Sequence, residues 1–97
     1  MIVEIECLAN PPGTPESPYK HIEAAIAVIQ RSGLAYEVSA LGTTIEGEPD
    51  ELWVVVREAH EACLAAGAAG LVSVVKFQQS AAASGAPTIA SLTGKFR

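Results

Sequence analysis

Two rhythms of apolar residues take turns along this chain, and their order limits the possible folds more tightly than any single motif does. In "IVEIECL", Val3, Ile5 and Cys7 fall on one side and Glu4 and Glu6 on the other, the period of two expected of a half-buried strand. "ANPPGTPE" breaks that pattern with a proline and glycine loop that continues neither strand nor helix. Ile22, Ala25, Ile26 and Ile29 then recur at helical spacing, with Ser17 as the expected N-cap, Pro18 in the first turn and Gly33 as the stop. "LAYEVSAL" alternates again, and after Gly42 the short run "TTIEG" predicts the second arm of a hairpin. A second helix opens at "EPDELW", where Pro49 suits a first helical position and Asp50 and Glu51 meet the positive end of the helix dipole. Leu52, Val55, Val56, Ala59 and Cys63 form its apolar stripe, Gly67 to Gly70 end it, and "LVSVVKF" predicts a fourth strand.

The order β-α-β-β-α-β is that of the split βαβ unit of an α+β, ferredoxin-like sandwich, a four-stranded antiparallel sheet with two helices on one face. The 97 residues suffice for one domain, with 79–97 as a small-residue linker and a short tail of one or two helical turns. Glu4, Glu6, Glu37 and Ser39 are expected on the bare sheet face. Hydrophobic residues make up 49% of the chain, but many are alanines that bury little area, so association of subunits would supplement a modest core. A homo-oligomer, dimer or tetramer, is therefore expected.

The formal net charge of −5, with six scattered Lys and Arg, argues against a nucleic-acid binder, which needs clustered positive charge. No apolar run approaches the ~20 residues of a membrane span, and no signal-peptide pattern opens the chain, so a cytoplasmic protein without a membrane partner is expected. Cys7 and Cys63 lie in apolar patterns without a CxxC and read as reduced, buried thiols.

The fold hosts unrelated activities, and the residues of several are missing. The loop after the first strand has neither the arginine of an acylphosphatase-type phosphate cradle nor the CxxC of a metallochaperone. The first and fourth strands offer only Phe77 for base stacking. His60 and Cys63 are three apart on the second helix, but no further ligands stand at a metal-binding spacing, so no metal and no cofactor is expected. His21 reads as a solvent-facing residue, and Trp53 as a ring packed under Arg57, four residues on. No nucleophile and base can be paired, which points away from an enzyme.

The stretch "YEVSALGTTIEGEPDELW" supports two readings. Gly42 and Gly47 suit turns, and Thr43 and Thr44 suit a strand, so a hairpin leading into a helix explains it fully. The same segment concentrates hydroxyls and a carboxylate in Thr43, Thr44 and Glu46, with Thr43 sharing a face with Ile45 and Thr44 with Glu46. A heteroaromatic ligand needs a few such polar groups within an apolar wall.

"YEVSALGTTIEG", followed by "DELWVVVREAHEACLAAG" and "VSVVKF", resembles the YkoF-like thiamine-binding family of small ferredoxin-like domains. The resemblance covers nearly the whole chain. It implies a non-enzymatic, homo-oligomeric protein, typically a dimer of dimers, that binds thiamine or its hydroxymethylpyrimidine moiety. Onto the family's pattern fall Tyr36, Glu37, Gly42, Thr43, Thr44, Glu46, Gly47 and Lys76, and Ser39 stands on the same strand run as Tyr36 and Glu37. The ligand-binding candidates are thus Tyr36, Glu37, Ser39, Thr43, Thr44, Glu46 and Lys76. A carboxylate such as Glu37 or Glu46 would favour the fixed positive charge of a thiazolium.

Overall fold

A computed structural model describes residues 1–82 and 84–97. Its elements are β1 (Ile2–Asn10), α1 (Lys20–Arg31), β2 (Ala35–Val38), β3 (Thr43–Glu46), α2 (Pro49–Ala66), β4 (Gly70–Gln78) and α3 (Ile89–Thr93), ending in a 3₁₀ turn (Gly94–Phe96). The strands form one antiparallel sheet in the order β2-β3-β1-β4, the ferredoxin-like arrangement. The two long strands, β1 and β4, pair along their whole length from Ile2 opposite Gln78 to Asn10 opposite Gly70. The linker expected before the tail includes Ala83, which lies outside the described residues.

α1 and α2 pack on the sheet face formed by Val3, Ile5 and Cys7 of β1 and Thr43 and Ile45 of β3, in the register Val3–Ile45 and Ile5–Thr43. Ala25 and Ile29 of α1 and Leu52, Val55, Val56, Ala59 and Cys63 of α2 complete the buried cluster. Burying a side chain of the size of Leu52 or Ile45 contributes about 1.5–3 kcal/mol, so these few residues supply most of the driving force.

Four expectations need correction. α1 starts at Lys20 rather than after Ser17, because the Ser17 N–H donates to the Thr14 hydroxyl at 3.1 Å and its carbonyl closes turns with Thr14 and Lys20. Tyr19 takes the N-cap position instead, and no side chain caps α1. His21 is buried, not solvent-facing: its Nδ1 hydrogen-bonds the Pro11 carbonyl at 2.7 Å and so ties the proline loop to α1. Trp53 stacks on Phe77 of β4, with centroids 4.3 Å apart, while Arg57 pairs with Glu61 one turn on. Ser39 lies past the end of β2, its N–H donating to the Gly42 carbonyl, and it borders the helix side rather than the bare face.

The opposite face is not wholly bare either. Glu46 and Glu37 project from it, and both hold the C-terminal segment: Glu46 Oε1 accepts the Ile89 N–H at 2.8 Å, and Glu37 pairs with Arg97 at 2.9 Å. Ile89 is buried there, and Ile2, its face mate on β1, is only 9% exposed. The β1–β4 half stays open, with Leu8, Val72 and Val74 exposed.

Candidate functional site

A cavity of about 420 Å³ opens between α1, the middle of β1 and the turn joining β2 to β3. It exists because α1 carries more apolar surface than the core absorbs. Ala25 and Ile29 are buried against the sheet, while Ile22 and Ile26 are only half covered and line the cavity. Ile5, Cys7 and Thr43 form its sheet side, Ser39 to Gly42 close one end, and Tyr19 and Glu23 stand on the helix side. Gly42 permits this closure, since a Cβ there would meet the Ile5 carbonyl at 3.3 Å.

Thr43 is the best-placed polar group. It is 5% exposed and lines the cavity, and its hydroxyl makes no hydrogen bond among the described residues. No side-chain polar atom among those residues is both buried and unpartnered, so this hydroxyl keeps some exposure. Glu23 brings a carboxylate to the helix side of the lining and biases it towards a cation.

The sheet separates the candidate residues into two groups. Thr43 and Ser39 belong to the cavity, and Tyr36 shares Thr43's sheet face but stands on edge strand β2, outside the lining. Glu37, Thr44 and Lys76 lie on the opposite face, where the cross-strand register makes one row of Glu37, Thr44, Glu4 and Lys76 from β2 to β4. Lys76 pairs with Glu4 at 3.4 Å, and Glu46 shares this face, one pleat along, as the partner of Ile89. The strand parity of Thr43 against Thr44 already contained this division. Tyr19, Cys7 and Glu23 were not singled out as ligand candidates. The available signal was the width of the α1 stripe, since Ile22 and Ile26 exceed what one core face needs.

His60 and Cys63 do not face a common centre. His60 Nδ1 bonds the Ser73 hydroxyl at 2.6 Å, and among the described residues no group of three or more His, Cys, Asp or Glu side chains is placed to hold a metal. No helix among these residues is long and apolar enough to cross a membrane. The Cys63 thiol is pushed up from 9.0 to about 12, first by burial and then by the neighbouring Cys7.

A family model described as "Thiamine-binding protein" matches residues 5–89. The chain belongs to the thiamine-binding protein family. An uncharacterised protein of this kind from Clostridium perfringens is 32% identical over 79 residues, covering 81% of this chain and 80% of that one. Two solved structures are similar throughout. A domain of unknown function from Bacillus cereus matches with a TM-score of 0.80 and 35% identity, covering 100% of this chain and 91% of that one. A Thermotoga maritima protein, proposed for thiamine biosynthesis or salvage, matches with a TM-score of 0.77 and 27% identity over 100% of both chains. The matched span of the family runs from Ile5 to Ile89, so it takes in the cavity and the tail's anchor alike.

Proposed function

We propose that this chain binds thiamine or its hydroxymethylpyrimidine moiety without transforming it, in storage, delivery or sensing, and that the cavity beside α1 is the site. Membership of the thiamine-binding protein family and the likeness to the Thermotoga protein support a thiamine-related role. The observation that carries the location is the Thr43 hydroxyl, held at the apolar cavity wall without a hydrogen-bond partner among the described residues. An aminopyrimidine offers a donor and ring-nitrogen acceptors to Thr43 and Ser39 and a flat ring to Ile22 and Ile26, while Glu23 favours a thiazolium. Tyr36 supports the turn that closes the cavity. Glu37, Thr44, Glu46 and Lys76 act from the far face, where they hold the tail or meet a second subunit.

A homo-oligomer, dimer or tetramer, forms in this reading through the uncovered β1–β4 half of the sheet, where Leu8 and Val72 are 50% and 62% exposed. The alternative role, an interaction module without a small ligand, draws on the same exposed strip. Titration calorimetry with thiamine and with hydroxymethylpyrimidine decides between them. Micromolar binding weakened by Thr43→Val supports the cavity, and no heat with either compound at millimolar concentration removes the binding reading.

A further inference from the structure

The cavity wall contains a thiol pair that ligand binding by itself does not require. Cys7 of β1 is half-buried and lines the cavity, and Cys63 of α2 is fully buried behind it; both are free thiols. Cys7 packs against the buried cluster that contains Cys63, and it is the nearest titratable group to act on the Cys63 thiol. Two further residues converge on the same sulfur. Ser73, the cross-strand partner of Cys7, donates its hydroxyl to Cys7 Sγ at 3.7 Å, and His60 Nδ1 contacts that hydroxyl at 2.6 Å. His60, Ser73 and Cys7 thus form a hydrogen-bonded chain, its direction at His60 set by the imidazole tautomer, that ends on a thiol at the cavity wall.

We propose that Cys7 and Cys63 are a redox modification site, closed to an intramolecular disulfide by a peroxide that enters through the cavity. Cys7 attacks one peroxide oxygen as its thiolate. The S–O bond forms, the O–O bond breaks, and the departing hydroxide takes up a proton as water, leaving a sulfenic acid on Cys7. The Cys63 sulfur then attacks the Cys7 sulfur. The S–S bond forms, the S–O bond breaks, and the Cys63 proton leaves with the hydroxide as a second water. Two thiols are oxidised by two electrons, one hydrogen peroxide is reduced, and two waters result. Cys7 lines the cavity while Cys63 is fully buried, so Cys7 is the thiol that meets the peroxide first. The disulfide draws the Cys7 sulfur towards α2, away from the cavity wall, and releases the Ser73 hydroxyl.

The test treats the reduced full chain with hydrogen peroxide and follows intact mass and peptide map. Expected are a mass lower by two hydrogens, loss of both thiols titratable in denaturant, a peptide joining Cys7 to Cys63, and reversal by dithiothreitol. Disulfides between chains, a Cys7 sulfinate beside an intact Cys63 thiol, or two untouched thiols would each overturn the proposal. Ser73→Ala, with folding checked by circular dichroism, is expected to slow the reaction about tenfold through loss of one hydrogen bond, and an unchanged rate removes the hydrogen-bonded chain from it. Cys63→Ala is expected to stop at a sulfenic acid that dimedone traps. A separate arm rests on the proposed function: saturating thiamine should slow the oxidation of Cys7 by about tenfold or more as it occupies the cavity. Disulfide formation without protection refutes the ligand's position and leaves the thiol site standing. Protection without a disulfide does the reverse.

Discussion

Glu46 Oε1 accepts the backbone N–H of Ile89 at 2.8 Å, so a strand carboxylate holds the first turn of the C-terminal helix against the sheet. The residue that looked most suited to a cationic ligand already has a structural partner. Its carboxylate faces away from the cavity that contains Thr43, because side chains one apart on a strand point to opposite faces.

Glu46→Gln therefore tests a structural role. A charge-assisted hydrogen bond to a helix N-terminus contributes about 1–2 kcal/mol, and the amide retains only part of it. Urea denaturation should show a loss of about 1 kcal/mol, and proteolysis should trim the tail faster. Thiamine affinity, measured on the still-folded variant, should change less than about threefold, a loss too small for a removed hydrogen bond. A collapse of affinity at unchanged stability would return Glu46 to the ligand.

Thr43→Val has the opposite signature. The two side chains have nearly the same shape, and the hydroxyl has no hydrogen-bond partner to lose among the described residues. Folding stability should stay within about 0.5 kcal/mol of wild type. Affinity for thiamine should fall by about tenfold or more, because the ligand's polar atom would be desolvated against a methyl group. Paired denaturation and calorimetry check both halves.

Gly67 adopts φ +131°, and a Cβ built on it would lie 2.9 Å from His21 Nε2. Gly67→Ala combines backbone strain with a clash against a buried ring that is already fixed to the Pro11 carbonyl. The loss should be about 2–3 kcal/mol by chemical denaturation. Gly70→Ala is the control: no atom lies within 4 Å of its Cβ position, and its change should stay below about 1 kcal/mol.

Cys63 carries a pH signature. Its folded-state value, about 12, lies above its ordinary 9.0, so above pH 9 the unfolded chain releases a proton that the folded chain keeps. The unfolded state then binds fewer protons, and stability falls as pH rises. The contribution is fully present below pH 9 and is lost between there and about 12. Cys63→Ala should flatten the decline in unfolding free energy above pH 9 relative to wild type. An identical slope in the two proteins would rule out Cys63 as its source.

The local rhythms of this chain determined the strands, the two long helices and their order along the sequence, because alternation and helical spacing depend only on near neighbours. Asp50 and Glu51 in the first turn of α2, and the Gly67 stop, were legible for the same reason. Strand parity also determined that Thr43 and Thr44 would part company. Three-dimensional packing alone decided what each side chain meets. Ser17 could have capped α1, but Thr14 engages its backbone first. His21 looked solvent-facing until the proline loop folded back over it, and Trp53 chose Phe77, which is distant in sequence but stacked beside it, over Arg57 on its own helix. The bare sheet face received the tail because Glu46 and Glu37 meet Ile89 and Arg97 across some 40 to 60 residues of chain. The cavity follows from the same cause. It is the space left between α1, β1 and a turn, elements separated along the chain, so its volume and its lining come into being only when they pack.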